Sequence, residues 1–240
     1  MEDVPSLVAE IDARLRAHAN PERKRVAITY FPTAMEVIGV SVPDLRAIAR
    51  DVAKRLRGAL EADVLALVEA VIEANTFEGR QLAYEVLARH PVAFAALTTQ
   101  RIERLGRGND NWASVDAFAV TIAGPAWRKG QLDDEAVHRW AQSPDRWWRR
   151  TALVCTVALN QKAHGGRGDT PRTLAVCELL ASDRDDMVAK ALSWALRALS
   201  VVDRAAVVGF IQRHEADLPS RVRREVAAKL STGLKSGRAR

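Results

Sequence analysis

The amino-acid sequence predicts an all-α protein, and two observations lead to this fold class. Apolar residues recur at the three- and four-residue spacing of amphipathic helices along nearly the whole chain, between turn signals made by proline, glycine and asparagine. No segment shows a convincing alternation of apolar and polar residues, the pattern of a half-buried strand. With 240 residues, 48% of them apolar and 28% charged, the chain can bury a substantial core.

Each predicted helix lies between two such turn signals. In chain order the predicted helices cover residues 4–19, 22–30, 43–57, 61–74, 77–90, 93–105, 112–123, 133–142, 145–159, 171–181, 185–199, 204–214 and 220–230. Pro43 falls near the first turn of its helix, with Ser41 or Val42 as the cap. Gly124 and Pro125 are predicted to end a helix, and residues 165–170 form the longest flexible loop.

Several helices share a beginning, in which a basic residue precedes a run rich in alanine and leucine or valine. These starts lie at Arg80, Arg150, Lys190 and Arg224. Their spacing, of roughly 35 to 45 residues with one double step, is typical of HEAT-like or armadillo-like repeats. We therefore expect an α-solenoid of about six antiparallel helix pairs with a concave binding groove. Residues 1–232 would form this single domain, and residues 233–240 a basic, disordered tail.

The charge of the chain favours an anionic partner. The net charge is +6, and the segment 220–240 alone carries seven Lys/Arg against one acid. A polyanion or an acidic membrane surface would suit this balance. No apolar run approaches the ~18 residues of a membrane span, so we expect a soluble, cytoplasmic protein. Cys155 and Cys177 lack the spacing of a metal or redox pair and are predicted to be reduced core residues.

A tryptophan and an aspartate, Trp112 and Asp116, stand four residues apart at the start of one predicted helix. Positions i and i+4 share a helix face, so the indole and the carboxylate would lie side by side. A carboxylate next to a π surface can stabilise a cation. The segments 147–150 and 190–197 carry further tryptophans and basic residues, and six of the thirteen aromatic residues are tryptophan. We expect these three helix faces to line one cleft that acts on DNA.

These residue types suit the hydrolysis of an N-glycosidic bond, which passes through an oxocarbenium-like sugar. Asp116 could stabilise that charge and orient the attacking water, while Trp112 and Trp194 offer π faces worth ~0.5 to 2 kcal/mol each. A base that is already cationic leaves without a general acid, so one carboxylate suffices. Arg150 and Arg197 suit bidentate phosphate contacts.

Structural roles are the alternatives for the same side chains. Asp116 could be a helix-end carboxylate paired with an arginine, and the tryptophans could fill gaps between helices. The arginines could belong to a solvated face or to ion pairs between repeats.

Two motifs resemble those of a known family, the AlkD-type DNA alkylation-repair glycosylases, which are built of HEAT-like repeats. The segment 112–116 resembles the family's W-x-S-V-D motif, and 190–197 resembles its K-A-x-x-W-x-L-R motif. The resemblance extends over nearly the whole chain, including residues 20–22, 27–30 and 39–43. It implies a groove that binds duplex DNA and removes cationic N3- and N7-alkylated purines. It also implies excision without base flipping, and no metal or redox cofactor.

The resemblance assigns a role to each candidate residue. Asp116 corresponds to the catalytic carboxylate, Trp112 and Trp194 to the aromatic pair at the lesion, and Tyr30 to a third aromatic. Arg150 and Arg197 correspond to phosphate-contacting arginines, and Arg149 and Lys190 complete the predicted DNA-binding set. We expect a monomer that acts on duplex DNA containing alkylated bases, with no membrane partner.

Three segments depart from the family pattern. Residues 31–37 lack the usual aromatic-rich character, Asn111 stands where another aromatic can occur, and residues 165–169 resemble an insertion. Two other functions therefore stay open: a non-catalytic binder of distorted or branched DNA, and a protein–protein scaffold of the HEAT type.

Overall fold

The computed structural model describes residues 3–235, and within that range the protein is all-α, as predicted, with no β-strand. The helices are α1 (Val4–Ala17), α2 (Pro21–Tyr30), α3 (Val42–Arg55), α4 (Glu61–Glu73), α5 (Phe77–Ala88), α6 (Pro91–Ala95), α7 (Thr99–Gly106), α8 (Trp112–Phe118), α9 (Gly124–Arg128), α10 (Asp134–Ala141), α11 (Arg146–Asn160), α12 (Thr170–Leu179), α13 (Asp186–Leu199), α14 (Arg204–Arg213) and α15 (Ser220–Thr232). A π-helical segment, Ala119–Ala123, joins α8 to α9, and a 3₁₀ turn, Lys162–His164, follows α11.

Side-chain caps explain why the helices begin where they do. Asn20 accepts a hydrogen bond from the backbone N–H of Arg23 at 2.9 Å, and Ser41 accepts one from Asp44 at 3.3 Å. Such caps satisfy backbone donors that the first helical turn leaves unpaired. Proline follows both caps within the first two helical positions, where its missing N–H costs nothing. The predicted Ser41 cap is confirmed.

Two sequence predictions about helix ends are wrong. The predicted helix 93–105 is two helices, α6 and α7, because Thr98 caps the second by accepting from the N–H of Arg101 at 3.3 Å. Gly124 and Pro125 do not end a helix, because a π-helical segment leads directly into α9. Pro125 lies in the first turn of α9, where a proline needs no N–H partner.

The chain forms two compact units, Met1–Ile122 and Ala123–Arg240. In the first unit, α5 packs against α3 and α4, and α1 packs against α4. In the second unit, α13 packs between α11 and α15, and α12 packs against both α11 and α13. This side-by-side packing of helices spaced one repeat apart is what a HEAT-like array requires. The predicted number of helix pairs and the concave groove stay predictions.

Both cysteines lie where the sequence placed them, in the core of the second unit. Cys155 and Cys177 are unpaired thiols with no exposed surface, and burial raises the pKa of each well above its ordinary value. Among residues 3–235, no helix is long and apolar enough to cross a membrane, and no cluster of His, Cys, Asp or Glu side chains could hold a metal ion. The last five residues of the predicted tail, 236–240, lie outside the described part of the chain.

Candidate functional site

The first unit places Trp112 at the start of α8 and Asp116 one turn later. Asn111 caps this helix, its side-chain oxygen accepting from the N–H of Ser114 at 2.9 Å. Trp112 and Asp116 are both partly buried, and their spacing puts them on one helix face. Asp116 also has an interaction partner within the protein. That the indole and the carboxylate act together stays a prediction.

Tyr30 completes an aromatic group with Trp112. The two rings meet edge to face, with centroids 5.2 Å apart and planes at 88°. Phe31 contacts the same indole at 6.1 Å and 87°, and it belongs to a buried cluster with Met35, Val37 and Phe77. Tyr30 itself is 69% exposed. The pair of Tyr30 and Trp112 therefore presents aromatic surface to solvent, while Trp112 packs against the buried cluster.

Asp110 ties the end of α2 to the beginning of α8. Its carboxylate accepts from the hydroxyl of Thr33 at 2.5 Å, from the N–H of Ala34 at 2.6 Å and from the side chain of Asn111 at 3.1 Å. Burial alone would raise the pKa of the Asp110 carboxyl, but these hydrogen bonds outweigh it and hold the pKa below its ordinary value. This anchor fixes the segment that follows Tyr30.

Glu78 anchors the other end of α2. This buried carboxylate accepts three backbone N–H bonds, from Ile38 at 2.9 Å, Gly39 at 2.6 Å and Val40 at 3.2 Å. Gly39 has a φ of +94°, and a Cβ there would lie 2.4 Å from the carbonyl oxygen of Asn20. Only glycine allows this approach, which holds the start of α2 in place. Although α2 has no buried residue of its own, both of its ends are fixed.

In the second unit, α13 carries three more of the predicted residues. Lys190, Trp194 and Arg197 follow one another at helical spacing, and all three are partly buried. Lys190 pairs with Asp186 at 2.6 Å. The Nε of Arg197 donates to the hydroxyl of Ser193 at 3.2 Å.

A buried acid, Glu225, lies behind Arg197. Its carboxylate accepts from the Ser193 hydroxyl at 2.6 Å and lies 3.9 Å from the Arg197 guanidinium. Burial lowers the pKa of Arg197, and the charge of Glu225 opposes that effect. Ser193 and Glu225 thus hold a largely desolvated cation in one orientation.

Trp194 and Arg197 line a cavity of about 640 Å³ within the second unit. The cavity is bounded by Asn160, Gln161, Lys162, Ala163, Gly166, Arg167, Trp194, Arg197, Ala198, Val201, Val202 and Lys229. Four of these described lining residues are Lys or Arg and none is an acid. The cavity therefore combines an indole with a strongly positive wall.

Arg149 and Arg150 have structural partners. Arg149 pairs with Asp183 at 2.7 Å and donates to the carbonyl oxygens of Ser143 and Pro144, both at 2.9 Å. Arg150 is only 6% exposed and donates to the carbonyl oxygen of Met187 at 2.6 Å. The sequence raised ion pairing as the alternative for Arg150 and Arg197, and here it is Arg149 that forms an ion pair. Direct phosphate contact by either arginine stays a prediction.

Sequence reasoning missed the residues that support these side chains. Asp110 and Glu78 contact partners some 77 and 39 positions away along the chain, which no helical period reveals. Arg167 lies in the segment 165–169 that resembles an insertion, and Lys162 lies just before it, so no motif included them. The capping signal before α8 belongs to Asn111 and gives no hint of the partners of Asp110.

Comparisons with known proteins bear on the family and the fold. The model of the family described as DNA alkylation repair enzyme matches residues 11–230. A solved structure described as a predicted DNA alkylation repair enzyme from Enterococcus faecalis is similar at a TM-score of 0.73 and 17% identity, covering 89% of this chain and 97% of that one. At that identity the likeness shows the fold. A search of curated proteins gave no match.

Proposed function

The chain belongs to the DNA alkylation repair enzyme family, and from this premise we propose that it is a DNA glycosylase. It hydrolyses the N-glycosidic bond of cationic N3- and N7-alkylated purines in duplex DNA. The observation that carries the proposal is the group formed by Tyr30, Trp112 and Asp116. The rings of Tyr30 and Trp112 meet edge to face with centroids 5.2 Å apart, and Asp116 follows Trp112 by one helical turn, an arrangement suited to a developing sugar cation.

The proposed reaction requires only one acid. As the C1′–N bond breaks, its electron pair neutralises the cationic base, which leaves without protonation. The sugar becomes an oxocarbenium-like cation that Asp116 stabilises electrostatically, aided by Trp112. A water oriented by Asp116 then adds its oxygen to C1′ and releases a proton to the carboxylate or to solvent. The base need not enter a protein pocket for this sequence of steps.

The second unit supplies DNA contacts in this proposal. Arg197 and Lys190 bind backbone phosphates, and Trp194 packs against the strand. Arg149 and Arg150 hold α11 and α13 in place through the partners described above. They therefore contribute to DNA binding by positioning the residues that contact DNA. The protein works as a monomer on nucleoid DNA in the cytoplasm.

The test is release of 7-methylguanine and 3-methyladenine from methylated duplex DNA under single-turnover conditions. Asp116→Asn should lower the rate constant by about 100-fold or more while duplex binding is retained. Asp63→Asn, a partly buried residue of the same unit, is the matched control and should release base at the natural rate. Unaltered release by Asp116→Asn would remove this carboxylate from the mechanism.

A second candidate function, a non-catalytic binder of distorted or branched DNA, is favoured by one observation, the positive cavity of the second unit. It predicts tight binding whose logarithm falls steeply with the logarithm of salt concentration, without base release. A protein–protein scaffold, the remaining alternative, would show no affinity for DNA at ~0.1 M salt.

A further inference from the structure

The cavity of the second unit has two kinds of wall. One side comes from α13 and α15, which contribute Trp194, Arg197 and Lys229. The other side comes from the segment after α11, which contributes Lys162 and Arg167. Both of these last side chains belong to exposed residues, and within residues 3–235 neither has an ion pair or a side-chain hydrogen bond.

The segment that carries Lys162 and Arg167 is fixed to the end of α11. The N–H of Gly166 donates to the carbonyl oxygen of Gln161 at 2.9 Å, and the N–H of Gly168 donates to that of Leu159 at 3.0 Å. A Cβ on Gly166 would lie 2.5 Å from the carbonyl group of Leu159, so glycine permits this close approach. The sequence predicted a flexible loop, whereas these bonds give it a defined path.

Arg128 reinforces the same segment from α9. Its Nη1 donates to the carbonyl oxygens of Ala158 at 2.9 Å and His164 at 3.1 Å. Burial lowers the pKa of Arg128, because partial desolvation disfavours the charged guanidinium. The backbone that displays Lys162 and Arg167 is thus held at several points, and the two cations start from fixed positions beside Arg197 and Lys229.

We propose that this cavity binds an unpaired stretch of single-stranded DNA, with a base stacked on Trp194 and flanking phosphates on Lys162, Arg167, Arg197 and Lys229. A volume of about 640 Å³ is large enough for a nucleotide. Basic side chains next to an aromatic ring are what binding of single strands requires, because phosphates need cations and unstacked bases need a π surface. Bases inside an intact duplex offer no free face to an indole.

This inference rests on the proposed function, because it specifies a form of DNA that the DNA-binding second unit would bind. It adds Lys162, Arg167 and Lys229 to the DNA contacts. It also gives a role to the segment in which this chain departs from the family pattern.

The experiment is fluorescence anisotropy of the full chain with a labelled, undamaged oligothymidylate of about six nucleotides. Lys162→Ala/Arg167→Ala should weaken binding on the order of tenfold at ~0.1 M salt. It should also reduce the slope of log K against log salt by about 1.4, or 0.7 for each lost phosphate contact. The matched control, Arg213→Ala/Arg223→Ala, removes two exposed cations that do not line the cavity and should leave that slope nearly unchanged.

Stacking is tested separately from charge. Trp194→Ala should weaken oligothymidylate binding about tenfold without changing the salt slope, and Trp194→Phe should retain most of the affinity. Thermal unfolding monitored by circular dichroism confirms that each variant is folded. The proposal is overturned if the cavity variant behaves like its control. It is equally overturned if thymidine monophosphate binds as tightly as the strand, which would make this a site for free nucleotides.

Failure of this inference is distinguishable from failure of the glycosylase proposal. The oligothymidylate contains no alkylated base, so its binding does not depend on Asp116 or on base release. A protein that binds the strand and releases no base would refute the glycosylase alone. A protein that releases base normally but gives equal affinities for the cavity variant and its control would refute the cavity alone.

Discussion

The two units use a buried glutamate in different ways. In the first unit, both oxygens of Glu78 accept backbone N–H groups of the segment Ile38–Val40, so the carboxylate fixes the path of the chain. In the second unit, Glu225 accepts a side-chain hydroxyl, from Ser193, and lies near the Arg197 guanidinium. The acid of the first unit thus acts on backbone, and the acid of the second acts on the side chains of the site itself.

This difference matches the two kinds of candidate site. The group of Tyr30, Trp112 and Asp116 needs fixed geometry, because stabilisation of a sugar cation depends on the positions of a few atoms. The cavity with Trp194 and Arg197 needs positive charge, because phosphate binding tolerates some freedom of position. A rigid backbone anchor suits the first requirement. In the second unit, the charge of Glu225 opposes the effect of burial on the pKa of Arg197 and so favours the charged guanidinium.

The largest effect is expected for Glu78→Gln. Glutamine offers one acceptor oxygen, and its NH₂ group would face backbone donors that need an acceptor. We expect the free energy of unfolding to fall by about 3 kcal/mol, measured by urea denaturation. Glu73→Gln, on an exposed residue of α4, should change it by less than about 0.5 kcal/mol. Equal values for the two variants would show that Glu78 is not an anchor.

Asp110→Asn should lower the free energy of unfolding by about 2 kcal/mol. The loss is smaller than for Glu78, because the Thr33 hydroxyl can turn to donate or accept. The pKa of Asp110 is depressed in the folded protein, so its stabilising effect is complete above the ordinary value of 3.8 and is lost as pH falls through the lower, folded-state pKa. When the free energy of unfolding is measured by urea denaturation between pH 7 and 2, the values for the variant and the natural protein should therefore become equal only in acid. A constant difference across this range would contradict the assignment.

The next prediction measures two quantities, the rate of base release and the salt dependence of duplex binding, for one variant in each unit. Tyr30→Ala should lower the single-turnover rate of base release about fivefold and leave the salt dependence of duplex binding unchanged. Arg197→Ala should reduce that salt slope by about 0.9 and change the rate at saturating protein little. Tyr30→Phe and Arg197→Lys, which keep the ring and the charge, are the controls. If both alanine variants changed the same quantity, the two sites would not have separate roles.

Glu225→Gln should have the smallest effect, a loss of about 1 kcal/mol in the free energy of unfolding. The glutamine carbonyl can still accept from Ser193, in contrast to the situation at Glu78. Urea denaturation of this variant beside Glu78→Gln compares the two acids directly. A cost at Glu225 equal to that at Glu78 would remove the distinction on which the comparison depends.

Local signals in the sequence predicted the helices and the caps. The cap at Ser41, the start of α8 at Trp112 and the burial of both cysteines follow from residue type and spacing alone, because they depend on neighbours within one or two turns. The division of residues 93–105 into two helices was missed because Thr98 reads equally well as a helical residue or as a cap. The π-helical segment before Pro125 could not be predicted, because the spacing of apolar residues does not distinguish one π-helical turn from an α-helix.

The anchors could not be predicted, because their partners are distant in sequence. Nothing around Glu78 indicates that its carboxylate receives the N–H groups of residues 38–40. The arginines show the same difficulty, since Arg149 and Arg197 look alike in sequence. One pairs with Asp183, and the other lines a cavity. Which cation lines a cavity depends on packing between helices, which cannot be read from a single sequence.

The two thiols have a consequence for a protein of an alkylation repair family. Methylating agents modify cysteine through its thiolate, and a buried thiol with a raised pKa stays protonated and out of reach. Cys155 and Cys177 are therefore shielded from the electrophiles that create the lesions in DNA. These two thiols would therefore escape methylation during exposure to such agents.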